Sequence, residues 1–154
     1  MIVVDTNLII ALQLEGPGRA VAESVLARDP AWAAPVLWRS EMRNALVLVV
    51  RHSGLELSAA AQYCARAQHL LRDHEHFVAD GDVLLLAAAS GCSAYDCEFV
   101  ALAEQLDVTL VTFDREVLEA FPGTAIHPKR FASGEFWGDR VSEALSAVYA
   151  GSGH

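Results

Sequence analysis

Four acidic residues, Asp5, Glu41, Asp96 and Asp114, stand where packing alone would not put a charge. Asp5 closes the apolar run Ile2-Val3-Val4 and is followed by Thr6-Asn7, and Asp114 closes a second apolar run over residues 108–113. Glu41 and Asp96 each interrupt the apolar stripe of an expected helix. An ionised carboxylate withdrawn from water costs several kcal/mol unless it is paired or bound to a metal. Four such positions in one small chain point to a single convergent site. Carboxylates brought together repel one another and raise each other's pKa. A hard divalent cation removes that penalty, and Mg²⁺ or Mn²⁺ prefers oxygen ligands of this kind. Mg²⁺ keeps several waters, one of which can become a nucleophile, and its open positions suit a phosphate oxygen. Metal-assisted phosphodiester hydrolysis is therefore the reaction class the set supports.

Each acid also has a plain structural role open to it. Asp5 and Asp114 can simply cap the helices that follow them. Glu41 falls on the row Leu37, Glu41, Ala45, with Leu48 three residues on, where a surface glutamate would not be expected. Near a helix start it can also pair with free amides. Asp96 shares a stripe with Phe99, Val100, Ala103 and Leu106, and Ser93-x-x-Asp96 has the form of a capping box. Capping and metal binding are compatible, because both place the carboxylate at the same edge of a sheet. Glu98 shares its side with Ala101 and Gln105 and is expected to face water. Thr112 is placed to orient Asp114 by a supporting hydrogen bond, and Asn7 to do the same for Asp5 or to touch a substrate. Arg39, Arg43 and Arg115 flank the acids and can either hold phosphates or form surface salt bridges.

The elements that carry these residues alternate between strand and helix. Residues 2–5 form a short buried parallel strand, and Thr6 or Asn7 is placed to cap a helix to about Gln13. Gly16-Pro17-Gly18 is a turn, residues 19–28 a helix, and Asp29-Pro30 its break. A strand is expected over 32–34, a long helix from Pro35 to about His52, and another from Ser58 to about Arg72. A short strand over 77–79 precedes helices over 80–90 and 93–106. Residues 108–112 give the clearest later strand, followed by a helix to Phe121 and a final strand over 125–127. This alternation predicts a mostly parallel sheet covered on both faces, with ligands at the carboxyl ends of its strands. Lys129-Arg130 and Ser133-Gly134 read as a linker to a last helix over 135–150, lined on one side by Trp137, Val141, Leu145 and Val148.

Bulk composition agrees with a single compact unit. The chain has 154 residues, 53% of them hydrophobic and 20% charged. No run approaches a membrane span, and the amino terminus lacks the basic region and cleavage site of a signal peptide, so a cytoplasmic protein without a membrane partner is expected. Cys64, Cys92 and Cys97 have neither disulfide nor zinc spacing. A net charge of −9 argues against a broad nucleic-acid-binding surface, yet bound cations would offset an acidic cluster locally. His69, His74 and His76 lack the spacing of a zinc motif and suit a helix end. No phosphate-binding glycine loop is present.

Taken in order, Val3-Val4-Asp5-Thr6-Asn7, Trp38-Arg39-Ser40-Glu41, Ala94-Tyr95-Asp96 through Glu104, and Leu110-Val111-Thr112-Phe113-Asp114 resemble PIN-domain ribonucleases. The similarity is closest to the VapC-type toxins of prokaryotic toxin–antitoxin pairs. It covers about residues 1–130, leaving 131–154 as a C-terminal helical extension packed on the same domain or on a partner. The resemblance implies a three-layer α/β/α fold and Mg²⁺- or Mn²⁺-dependent cleavage of RNA. It also implies a homodimer and a cognate antitoxin that blocks the site. Carried over by position, Asp5, Glu41, Asp96 and Asp114 are the metal-binding catalytic acids, and Asn7 and Thr112 support them. Two other functions compete with this one. An aspartate-nucleophile phosphohydrolase also begins with Asp at a strand end, but its pattern resembles Asp-x-Asp, whereas this chain has Asp5-Thr6-Asn7. A PIN-like binding module without cleavage would lose one or more of the four acids, and all four are present.

Overall fold

The apolar, β-branched run at the amino terminus forms the middle of a five-stranded sheet. The structure, a computed structural model, describes residues 1–135. Strand β1 (Ile2–Val4) is buried along its whole length and pairs in parallel with β2 (Trp32–Pro35) on one side and β4 (Leu110–Val111) on the other. Strands β3 (Glu75–His76) and β5 (Ala125–Ile126) complete the order β3-β2-β1-β4-β5, and every recorded pairing is parallel. Strands buried on both faces need apolar side chains at every position, which is why these runs do not alternate.

The helices follow the expected pattern closely: α1 (Thr6–Gln13), α2 (Arg19–Arg28), α3 (Trp38–Ser53), α4 (Leu57–Leu70), α5 (Asp80–Ser90), α6 (Ala94–Leu106) and α7 (Arg115–Ala120). Helix α6 packs across β1, β2 and β4, and α1 packs on both α2 and α3. The core joins Val3, Val4, Ile9, Trp32, Trp38, Met42, Val100 and Leu102. Gly91 takes a left-handed φ of 79° that closes α5 and lets α6 begin at once. No single helix among the described residues is long and apolar enough to cross a membrane. Cys64, Cys92 and Cys97 are free thiols.

Three expectations need correction. The third strand is Glu75–His76, not 77–79: the N–H groups of Ala34 and Val36 bond to the carbonyls of His74 and His76 at 3.1 and 3.0 Å. Phe77, expected in that strand, is 83% exposed. The stretch read as a linker is a short helix, α8 (Pro128–Ser133), which packs on α2, with Phe131 beneath the Arg28 guanidinium. Its start is set by proline in the first turn and by His127, whose Nδ1 accepts from the Lys129 N–H at 3.2 Å. The buried stripe of α3 is Trp38, Met42 and Leu46; the row Leu37, Glu41, Ala45 runs beside it half-buried, and Leu48 is 45% exposed. The expected helix over 135–150 lies outside the described residues.

Candidate active site

The sheet order reverses between β1 and β4, and in open parallel sheets ligands bind beyond the carboxyl ends of strands at such a switch point. Asp5 and Asp114 follow these two strands. The register pairs Val4 with Val111, and the Asp5 N–H extends it by bonding the Val111 carbonyl at 3.1 Å. Asp5 caps α1, accepting from the Asn7 N–H at 3.3 Å and from Asn7 Nδ2 at 3.0 Å. Asp114 caps α7 through Oδ1, which accepts from the N–H groups of Glu116 and Val117 at 2.8 and 3.2 Å.

Thr112 ties the two strand ends together. It is fully buried, its hydroxyl donates to Asp5 Oδ2 at 2.5 Å, and its oxygen accepts the Asp114 N–H at 2.9 Å. Asn7 Nδ2 also reaches that oxygen at 3.2 Å, while Asn7 Oδ1 accepts from the Phe113 N–H at 3.3 Å. Thr112 thus supports both strand-end acids, and Asn7 links Asp5 to Thr112 and Phe113. Asp96 arrives from the first turn of α6, where the capping box is complete. Its Oδ2 accepts from the Ser93 N–H and hydroxyl at 3.2 and 2.5 Å, and its own N–H donates to Ser93 Oγ at 3.1 Å. Glu41 arrives from the first turn of α3 and takes a hydrogen bond from the Thr6 hydroxyl on Oε2.

The electrostatics follow from this placement. Burial pushes the Asp5 carboxyl above its ordinary value, and the like charges of Asp114 and Asp96 add to that, against the hydrogen bonds from Thr112 and Asn7. Glu41 is raised by burial and further by Asp5, Asp96 and Glu98, against the bond from Thr6. Among the described residues none of the four acids has an ion-pair partner. Hydroxyls and N–H groups hold them, and on Glu41, Asp96 and Asp114 those bonds all fall on a single carboxylate oxygen.

Among the described residues no three His, Cys, Asp or Glu side chains come together as a ready-made metal-holding group. The four acids offer only carboxylate oxygens, the donor type that suits Mg²⁺ or Mn²⁺ rather than the thiolate and imidazole set of a structural zinc. Mg²⁺ is held by one or two carboxylates with waters and a substrate phosphate in the remaining positions. A cavity of about 640 Å³ lies at the other end of the sheet, lined by Met1, Arg28, Asp107, Thr109 and Phe131. It is near none of the four acids.

The basic residues divide. Arg39 is engaged: its Nε and Nη2 bond both Glu75 oxygens at 2.6 and 2.7 Å, and its guanidinium lies 5.5 Å from the Trp38 ring centroid. A phosphate role expected for Arg39 would break that fork. Arg43 is exposed and bonds the Arg39 carbonyl and Ser40 Oγ at 3.0 and 3.1 Å. Arg115 is paired at 3.5 Å with Glu119, both on the solvent face.

Two residues near the site were not picked out from the sequence. Thr6 is 4% exposed and serves Glu41; the hint was a hydroxyl beside the strand-end aspartate. Glu98, expected to face water, is half-buried and raised by burial and by Asp80. Helix α5 packs over α6 and covers that side, and Ala101 is buried with Val83, Cys92 and Cys97 for the same reason. Periodicity within α6 carries no sign of that neighbour.

Residues 2–122 match the PIN domain family. The chain belongs to the PIN-domain family. It is 28% identical over 124 residues to Ribonuclease VapC3 of Pyrobaculum aerophilum, covering 79% of this chain and 95% of that protein. The fold superposes on PAE2754 of Pyrobaculum aerophilum with a TM-score of 0.69 at 23% identity, over 85% of this chain and 92% of the other. FitAcB of Neisseria gonorrhoeae gives a TM-score of 0.64 at 18% identity, over 83% and 98% of the two chains. A toxin–antitoxin complex from Klebsiella pneumoniae gives 0.60 at 18% identity, again over 83% and 98%. At these identities the solved structures establish the three-layer α/β fold of this PIN domain.

Proposed function

We propose that this PIN-domain chain is a divalent-metal-dependent endoribonuclease and the toxin of a toxin–antitoxin pair. One observation supports the reading: the Asp5 and Glu41 carboxyls, raised by burial, feel the like charges of Asp114 and Asp96, and none of the four acids has a cationic partner among the described residues. Asp5, Glu41, Asp96 and Asp114 would hold the ion. A bound Mg²⁺ or Mn²⁺ supplies an activated water and neutralises charge on the phosphate.

The chain's own residues do the positioning. Thr112 and Asn7 fix Asp5 relative to Asp114, and the Ser93 capping box fixes Asp96. Arg43 and Arg115, exposed beside Glu41 and Asp114, would take backbone phosphates of the RNA, while Arg39 stays with Glu75. The 28% identity to a VapC ribonuclease supports RNA as substrate, and the toxin–antitoxin neighbour supports an antitoxin partner.

Two uncovered apolar regions suit protein partners, one of them a second copy of the chain. Phe77, Leu84, Leu85 and Tyr95 are 64–83% exposed around α5, and an apolar groove between α3 and α4 runs past Val47, Val50, Leu57 and Ala61. Within this reading residues 1–130 are the nuclease domain and 131–154 its extension. The test is cleavage of labelled RNA with Mg²⁺ or Mn²⁺, with Asp96→Asn as control. The expected result is metal-dependent cutting that Asp96→Asn abolishes; no metal-dependent cutting of any RNA tested would refute the reading.

A further inference from the structure

We infer that Thr6 is a positioning residue for Glu41: its hydroxyl sets the carboxylate of the one site acid that its own helix does not fix. The inference rests on the metal-dependent nuclease reading above. Three of the four acids are oriented by the elements that carry them. Asp5 and Asp114 cap α1 and α7, and Asp96 closes the capping box of α6. Glu41 has no such device. It lies in the first turn of α3, whose N-cap Leu37 makes no side-chain cap bond, and it carries one more rotatable bond than an aspartate.

Among the described residues a single hydrogen bond reaches the Glu41 carboxylate. It comes from Thr6 Oγ1, 35 positions away in sequence, to Oε2. Thr6 is 4% exposed and begins α1 directly after Asp5. Its β-branched side chain has few χ1 rotamers, and burial keeps water from competing for the hydroxyl. The Asp5-Thr6 dipeptide therefore supplies one acid and aims another. It joins the carboxyl end of β1 to the first turn of α3, on the side of the sheet away from the Thr112 link. The bond occupies Oε2, and Oε1 accepts none among the described residues, which leaves an oxygen for a cation.

The test compares wild type with Thr6→Val, Thr6→Ser, Thr6→Ala and Thr6→Val in a Glu41→Gln background. Mn²⁺ affinity is measured by calorimetry on the full chain, alongside RNA cleavage and thermal melting. Removing a group that orients a metal ligand weakens metal binding by about 10–100-fold. Thr6→Val and Thr6→Ala should show that loss, Thr6→Ser should return to near wild type, and Thr6→Val should add nothing once Glu41 is Gln. Thr6→Ala keeps the question answerable if Val disturbs folding. The inference is overturned if Thr6→Val and Thr6→Ala bind Mn²⁺ as wild type does. It is overturned as well if Thr6→Ser is as impaired as Thr6→Val, because serine keeps the hydroxyl on which the inference rests. A wild type that neither binds Mn²⁺ nor cuts RNA overturns the nuclease reading and the inference with it; an active wild type with unaffected variants overturns the inference alone.

Discussion

Glu41 and Glu75 meet the same end of helix α3 and are treated in opposite ways. Glu75 takes both arms of the Arg39 fork and the Trp38 indole N–H, at 2.6 to 2.7 Å. The Arg39 guanidinium holds its carboxyl below the usual range. Glu41, two residues beyond Arg39, has among the described residues only a threonine hydroxyl; burial drives its carboxyl upward, and the like charges of Asp5, Asp96 and Glu98 add to that. A carboxylate whose charge is balanced inside the chain fastens the fold. On the proposed reading, one left facing like charges is held for a cation.

The largest contrast should appear in activity. Asp96→Asn and Glu41→Gln should each lower metal-dependent RNA cleavage by more than about 100-fold, the upper end of what loss of a mere supporting group costs. Glu75→Gln should keep most of it. Equal losses in all three variants would erase the distinction.

Stability should rank the residues the other way. Glu75→Gln removes a partly exposed bidentate pair and should cost about 1–2 kcal/mol in urea unfolding. Glu41→Gln in metal-free protein should cost nothing or stabilise, because it removes a repelled charge.

The pH dependence separates them by sign. The folded pKa of Asp5 and Glu41 is raised above 3.8 and 4.5, so the folded state holds their protons more tightly and their contribution to stability is lost as pH rises through the raised values. The folded pKa of Glu75 is lowered from 4.5, so its contribution is present above that value and is lost as pH falls through the depressed one. Melting of metal-free protein from about pH 3 to about pH 8 should therefore flatten on the acid side in Glu75→Gln and on the neutral side in Glu41→Gln.

The smallest expected effect is at the arginines. Arg43→Ala and Arg115→Ala should each reduce the slope of log K against log salt for RNA binding by about 0.7, one phosphate contact on a single strand. An unchanged slope would assign both residues to the local contacts they make in the free chain.

Sequence alone went far with this fold because its strands and helices announce themselves locally. Buried parallel strands are apolar at every position, and Ser93, Gly91 and Pro128 mark helix ends with their own chemistry. The acids at strand ends were legible for the same reason, since a carboxylate after Val-Val or after Thr-Phe stands out in one dimension. What stayed hidden depends on a second element. Glu98 is covered by α5, Glu75 gains its role only when β3 reaches Arg39, and Thr6 matters through a glutamate 35 positions later. Helix α8 is hidden because Ser133-Gly134 has the composition of a spacer, whereas Gly134 is a left-handed helix stop at φ 82°.

The link between β1 and β4 bears on how the molecule comes into being. Thr112 and Asp5 are 107 positions apart, and the parallel pairing that joins them has high contact order. Such pairings form late and slowly compared with local helices. During synthesis the amino-terminal acids emerge first, but the site cannot close until the segment carrying Thr112 and Asp114 has been made and has found its place beside the first strand. On the proposed reading, a chain interrupted before that point carries three of the four acids without the strand that fixes Asp5, and completeness of translation becomes a condition for activity.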